Sequence, residues 1–415
     1  MFIKQTEKTK CIARGMVEIV EDFKEWLRWA DLIFLCDNTK YLRDIDSFRK
    51  EADVACIIGP SQDASEWELD REKGMAVLME AGVQTPPYEC FDDYDEAIEY
   101  VKKHDKRFVS KPSGDADKRL SYCAKTPEDM VFMLERWKKA GTLKAPFILQ
   151  EFIDGCEMAI GGWFGPSGWS TGWCENFEFK KLMNNDLGVA TGEQGTVLRY
   201  VRNSKLARRV LEPVTDALER LNYVGYVDIN CIIDDKGIPW PLEFTMRPGW
   251  PTFNIQQALH QGDSAQWLHD LANGIDPRNW ILDRVAVGVV LSVPDYPYSH
   301  LTRKEVVGVP IYGITDSLWD HLHLCECMWG EAPAKKNGKM ATVELPVTAG
   351  DYVLVMSGVS ETIKAAADTV YQRLKTLTVP NSPMYRTDIG RRLRKELPTL
   401  QGMGYATGLK YSTRQ

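Results

Sequence analysis

Short apolar runs separated by a charged, helix-compatible segment open the chain. Asp31–Cys36 (DLIFLC) and Asp53–Ile58 (DVACII) read as strands, and Tyr41–Lys50 between them reads as a helix, which together make a βαβ pattern. The second run ends in Gly59-Pro60-Ser61, a loop at the carboxyl end of a strand, where open α/β sheets place ligands. Upstream, Val17–Trp29 has helical periodicity. Downstream, the pattern predicts helices over 70–81, 94–103 and 127–139, strands over 107–111 and 146–152, and a long helix over 204–221. Two apolar runs, GYVDINCII and IPWPLEFTM, flank the turn Asp234–Gly237 and predict a hairpin. Beyond Asp295 the chain is Pro-punctuated and strand-rich, with a helix over 361–377.

These elements predict an α/β and α+β multidomain protein. At 415 residues, and with roughly 100 to 200 residues per domain, three units are expected: a small N-terminal α/β domain over 1–62, a central domain over 63–293 containing a mobile lid subdomain over about 88–156, and a strand-rich C-terminal α+β domain over 294–415. The net charge of -8 gives no general attraction to nucleic acid or anionic lipid, so small-molecule partners are favoured. No apolar run is long enough to span a membrane and no signal peptide opens the chain, so a cytoplasmic protein, monomer or homodimer, is expected. The ten cysteines are scattered and read as reduced.

The hairpin carries the most chemical information. With Ile233 opposite Ile238, counting back sets Asp228 directly across from Glu243, and Thr245 and Arg247 share the Glu243 face. Opposed carboxylates repel, and a hard divalent cation would relieve them. The plain alternative is a pair of solvated acids on an exposed hairpin face. Elsewhere, Lys111 leaves a strand into SKPSGDADK, a setting that can place an ammonium on phosphate oxygens. Glu151 and Glu157 flank Phe152-Ile153 in ILQEFIDGCE, which could offer main-chain groups to a purine and a carboxylate to a ribose.

In the order SKPSGDADK, QEFIDGCE, GYVDINCIID and LEFTMRPG, the chain resembles the ATP-grasp ligases, and among them phosphoribosylamine-glycine ligase most closely. The resemblance runs from about Ala30 to Leu393. It implies the ATP-grasp fold and an ADP-forming enzyme that makes a carbon-nitrogen bond, using ATP and Mg2+ (or Mn2+). It implies that Arg71 and Lys111 hold phosphates, that Glu151, Phe152 and Ile153 frame adenine, and that Glu157 meets the ribose. Glu243 would bind magnesium, with Thr245 or Asp228 in place of the family's metal-binding asparagine. Lys111, Glu243 and Arg247 would be catalytic, and Lys181, Thr191, Gly192, Arg247, Gly249 and Trp250 would line the substrate site.

The departures fall on the acceptor side. Met1–Ala30 has no counterpart of the family's glycine-rich phosphate loop, NTGGMGA becomes ATGEQGT, and GDPET becomes GWPTF. The expectation is therefore retained ATP chemistry with small-molecule carboxylate and amine substrates, an amino acid such as glycine being joined to a non-standard amine. The alternatives are the ordinary purine-synthesis ligase and a degenerate nucleotide-binding protein. Two lesser readings remain: HLHLCEC as a packed strand face rather than a zinc site, and Asp388 in YRTDIG as a helix cap rather than a nucleotide contact.

Overall fold

A computed structural model describes the whole chain except residues 4–5, 7, 52–55, 113–120, 143–145, 171, 277–280, 299–303, 337, 381 and 414–415. The N-terminal βαβ unit is present: β1 (Leu32–Phe34) and β2 (Cys56–Ile58) pair in parallel, with α1 (Leu42–Phe48) between them. The beginning of the second expected strand lies outside the described residues. The helix expected over 17–29 is only a 3-10 turn at Lys24–Trp26. Leu27 is buried and Phe23 packs against Phe2 and Tyr41, but Val17 and Trp29 remain exposed, so the apolar positions do not meet the core as one helical face.

A helix that the pattern did not signal, α2 (Gln62–Leu69), starts where the Ser61 side chain accepts from the Ala64 amide. α3 (Arg71–Glu80) follows at once, with the Asp70 carboxylate capping the amides of Glu72 and Lys73. That cap fixes Arg71 as the first helical residue. β3 (Tyr88–Phe91), α4 (Tyr94–His104), β4 (Phe108–Pro112), β5 (Tyr122–Cys123), α5 (Pro127–Lys139) and β6 (Phe147–Glu151) then form a small antiparallel sheet of order β3-β6-β4-β5, backed by the two helices. This sheet is the segment expected to close over the site, and Lys111 leaves it on β4.

Nine of the remaining thirteen strands build one sheet, and the other four form two separate ribbons. In chain order come β7 (Cys156–Gly165), β8 (Gly168–Trp169), β9 (Trp173–Glu178), a side ribbon of β10 (Lys181–Met183) and β11 (Leu187–Ala190), then β12 (Gly195–Val201). The helix expected over 204–221 is broken into α6 (Lys205–Val210) and α7 (Thr215–Arg220) by a 3-10 turn holding Pro213, which lacks the amide hydrogen an α-helix needs. The hairpin strands β13 (Gly225–Ile233) and β14 (Pro239–Thr245) follow, with α8 (Thr252–Gln257), α9 (Ser264–Ala272) and β15 (Val285–Ser292). The C-terminal segment adds β16 (Leu322–Leu324), a long ribbon of β17 (Cys327–Lys336) and β18 (Lys339–Thr348), β19 (Tyr352–Ser360), α10 (Ile363–Leu374) and α11 (Leu393–Gly402). The large sheet has the order β14-β13-β7-β9-β12-β15-β19-β16, with β8 attached to β7.

β16 and β19 thus continue the same sheet as β15, and the boundary expected after residue 293 is not a break between sheets. The reason is visible in β15, VAVGVVLS, which is buried throughout and requires a partner on both edges; β12 and β19 supply them. His321, His323, Cys325 and Cys327 do not share one straight strand either, because β16 stops at Leu324 and Cys327 opens β17.

Two hydrophobic layers sandwich the sheet. α6, α10 and α11 cover one face, and α8 and α9 cover the other with Trp163, Tyr226, Ile255 and Trp267. In the second layer His260 stacks on Trp267 with centroids 4.5 Å apart, and its Nε2 lies 3.0 Å from the Tyr200 hydroxyl. Burial pushes the His260 pKa down to about 3. The unfolded chain takes up this proton near pH 6.5 while the folded protein does not, so the stabilisation is complete above that pH and is lost progressively on acidification. Between pH 7 and pH 5, the stability of the parent relative to His260→Phe should fall by about 2 kcal/mol. Urea titrations at the two pH values measure it; a pH-independent difference would refute a neutral buried imidazole.

Candidate active site

Lys180 is the hub of the site. Its ammonium sits 3.4 Å from Glu157, 3.1 Å from Glu178 and 3.3 Å from Glu243, so acids from β7, β9 and β14 meet one cation just beyond the end of β9. Burial opposes the Lys180 charge, but the three carboxylates outweigh it and raise its pKa well above the usual value. Glu243 also receives Arg71, at 2.7 Å, from the first turn of α3. Burial alone would raise the Glu243 pKa; Arg71, Lys180 and Lys111 together hold it far below the ordinary carboxylate range.

Lys111 completes this cluster from the small sheet. Its ammonium is buried and donates to the Leu242 carbonyl at 3.1 Å, and burial brings its pKa down to about 7, with Arg71 and Lys180 acting in the same direction against Glu243. The Gly-containing loop after Pro112 falls on residues 113–120, outside the described set.

The hairpin register differs from the expected one. Ile233 pairs with Pro239, and a bulge between Asn230 and Cys231 shifts the pairing once more, so Asn230 faces Glu243 and Asp228 faces Thr245. The turn is one residue longer than expected, and the bulge makes room for Leu242. These two single-residue shifts add to an even number, which restores the facing: Asp228, Asn230, Glu243 and Thr245 lie on one side of the sheet. What changes is the partner. Asp228 is not across from Glu243; it is buried, accepts from the Asn176 amide at 2.8 Å and the Tyr226 hydroxyl at 3.0 Å, and has its pKa raised by burial and by Glu178. Asn230 donates to Glu178 at 2.7 Å and keeps its amide oxygen buried and without a partner among the described residues.

Arg247 is also placed differently. β14 ends at Thr245, so strand alternation does not extend to Arg247, whose guanidinium is taken by Glu68 of α2 at 2.9 Å and Asp37 at 3.2 Å. At the other end of the site, Glu151 pairs with Lys106 at 2.6 Å, and the Phe152 ring lies 3.6 Å from the Arg107 guanidinium. The Phe152 amide donates to the Arg107 carbonyl, whereas the Ile153 amide has no partner among the described residues.

The substrate-side residues are scattered around Lys180. Thr191 donates both its amide and its hydroxyl to the Lys180 carbonyl at 2.8 Å, and a Cβ on Gly192 would meet open space. Gly249 accepts from the Phe253 amide at the start of α8, and exposed Trp250 lies 5.9 Å from Tyr352. Lys181 is not in the cluster; its carbonyl accepts from Arg386, and its charge reaches Cys123 on the small sheet. Asp388 neither caps a helix nor reaches the site: it binds Arg386 through two hydrogen bonds and accepts from the Asn185 amide, and α11 begins only at Leu393.

Residues 72–252 match the family model described as the ATP-grasp (A) domain of phosphoribosylglycinamide synthetase. The matched stretch contains Lys111, Glu157, Glu178, Lys180, Asn230 and Glu243. Over that stretch the chain has an ATP-grasp domain, and it resembles phosphoribosylamine-glycine ligase. The curated phosphoribosylamine-glycine ligase of Ralstonia nicotianae is 26% identical to it over 361 residues, 84% of this chain and 81% of that one. Among solved structures, the phosphoribosylamine-glycine ligase of Thermotoga maritima superimposes with a TM-score of 0.62 at 19% identity, covering 83% of this chain and 84% of that one. The biotin carboxylase domain of Hydrogenobacter thermophilus 2-oxoglutarate carboxylase, solved with MgADP and bicarbonate, gives 0.58 at 15% identity over 93% of this chain and 81% of that one. Both structural likenesses establish the fold. Among the described residues, no helix is long and apolar enough to cross a membrane.

Lys180, Glu178, Asn230 and Glu193 are site residues that reading the sequence missed. The first two carry a signal: Glu178 and Lys180 alternate in FEFKK, so an acid and a base share a face next to Lys181. Asn230 was hidden by the bulge. Glu193, nearly fully buried with one carboxylate oxygen unpartnered among the described residues, sits in a segment with no periodicity to flag it.

Proposed function

We propose that the protein is an ATP-dependent carboxylate-amine ligase that forms an amide through an acyl phosphate, releasing ADP and phosphate, and that it joins an amino acid such as glycine to an amine other than phosphoribosylamine. The observation carrying this reading is the convergence of Arg71, Lys111 and Lys180 on Glu243, opposite Asn230, whose amide oxygen has no partner among the described residues. Three cations gathered around one ionised carboxylate suit a polyanion. Glu243, Asn230 and Thr245 offer the oxygen donors that a hard divalent ion takes. Bound magnesium or manganese would neutralise charge on the β- and γ-phosphates.

Lys111 and Arg71 bind and orient the phosphates. A phosphate beside Lys111 returns its ammonium to the charged state, so nucleotide binding draws in a proton where the free lysine is half neutral, near pH 7. Glu151, Phe152 and Ile153 frame the adenine, the Ile153 amide being free to donate, and Glu157 lies toward the ribose. A substrate carboxylate oxygen attacks the γ-phosphorus and ADP leaves; the amine then attacks the acyl carbon and phosphate leaves. The acyl phosphate must be kept from water, which gives the small sheet over 88–151 its role as a closing lid.

Relatives that carry the name phosphoribosylamine-glycine ligase favour a second reading, the purine-synthesis reaction itself. A screen of amino acids against phosphoribosylamine and against nucleoside, sugar and aliphatic amines, followed by ADP release and product mass, separates the two. The expected result is an amide product with an amine other than phosphoribosylamine. A product from phosphoribosylamine alone would favour the second reading, and magnesium-ATP binding without turnover on any pair would refute both.

A further inference from the structure

Next to the cation cluster, on the sheet face under α8, lies a second polar group of the opposite character. Asp228 on β13 and Asn176 on β9 meet across β7, because β7 carries only Ala159 and Gly161 between them. A Cβ on Gly161 would stand 1.8 Å from the Tyr226 hydroxyl and 2.6 Å from Asp228 Oδ2, so the glycine is what lets those groups close over the strand. Glu193 approaches from the segment before β12, 3.4 Å from the Thr252 hydroxyl of α8 and within electrostatic reach of Asp228 and Glu178.

These side chains are buried, and each leaves an oxygen unpartnered among the described residues: Asp228 Oδ1, Glu193 Oε1, Asn176 Oδ1, Thr196 Oγ1 and Gln256 Oε1. Folded proteins satisfy most buried polar atoms, and a cluster of unsatisfied acceptors on two carboxyl groups calls for a ligand that brings N–H donors and positive charge. Lys180 does not fill that need, since its ammonium is directed to Glu157, Glu178 and Glu243.

We propose that Asp228, Glu193 and Asn176 form a binding site for the primary ammonium group of one of the ligase's substrates. The inference rests on the ligase reading above and names what that site selects: a substrate carrying a free primary amine beside the phosphorylated carboxylate. The group can belong to the amino acid that is activated or to the amine that attacks it.

Matched pairs differing only in ammonium against hydroxyl test this by isothermal titration of the full chain with a non-hydrolysable ATP analogue and Mg2+: glycine against glycolate for the acid, ethanolamine against ethylene glycol for the amine. The ammonium member of one pair should bind at least tenfold tighter than its hydroxyl twin, and the pair that discriminates identifies the source. Asp228→Asn and Glu193→Gln should each reduce that preference at least fivefold. Absence of preference in both pairs, or a preference that persists in both variants, would overturn the proposal. If one variant no longer binds the analogue, the other decides. Failure of the parent itself to bind analogue with Mg2+ would instead defeat the ligase reading, and the two failures are thereby distinguishable.

Discussion

Glu243→Gln should reduce ATP-dependent turnover by about 10^3-fold, about 4 kcal/mol of transition-state stabilisation. The carboxylate stands between Arg71 and Lys180 and faces Asn230, so it is the anion that lets three cations and a divalent ion share one small volume. Glutamine keeps the shape and can still accept from Arg71, so the fold should survive while metal affinity is lost. It also removes the charge that supports protonation of Lys111, whose pKa is already pulled down to about 7, so nucleotide affinity should weaken further at alkaline pH. The relevant measurements are ADP release on the best substrate pair, nucleotide affinity with and without Mg2+, and a thermal melt. Turnover within tenfold of the parent would remove Glu243 from the catalytic machinery.

That prediction depends on a register which reading the sequence obtained only in part. Facing was legible, because alternation along β13 and β14 is strict enough to put Asp228, Asn230, Glu243 and Thr245 on one side. Pairing was not, because the loop after Ile233 runs to Ile238 and a bulge at Leu242 leaves no mark in hydropathy. Helices with clear caps were readable: Asp70, Asp93 and Thr126 each precede a helix that begins at or within one residue of its expected start. The segment over 17–29 shows the limit of periodicity, since Leu27 and Phe23 find partners without a helix while Val17 and Trp29 stay exposed. The C-terminal strands show another limit. Nothing local in Tyr352–Ser360 says that it pairs with Val285–Ser292, because that contact is set by the unpaired edge of a strand some sixty residues earlier. The buried acceptor cluster was illegible for the same reason: its members come from β9, β12, β13 and α8, and only the folded sheet brings them together.

Lys180→Met should cost about 3 kcal/mol of stability in the absence of divalent ions, at the low end of the range for a buried charge network because the site retains some exposure. The variant leaves Glu157, Glu178 and Glu243 without the cation they share, and Arg71 is committed to Glu243. The pKa of Glu243, held low in part by Lys180, should rise toward that of an ordinary carboxylate. In the parent its contribution to stability is fully present above the unfolded pKa near 4 and is lost as pH falls from there through the depressed folded pKa; in the variant that contribution, and with it the acid-side loss, should shrink. Oxygen donors released in this way can take Mg2+, so millimolar Mg2+ should restore part of the stability of Lys180→Met while leaving the nucleotide-free parent nearly unchanged. Urea titrations with EDTA or Mg2+ at pH 7 read the stability and metal effects, and the same titrations extended from pH 5 to pH 3 read the change at Glu243. A variant as stable as the parent in EDTA would mean that the three acids do not depend on Lys180, and that its place at the centre of the site is geometric rather than energetic.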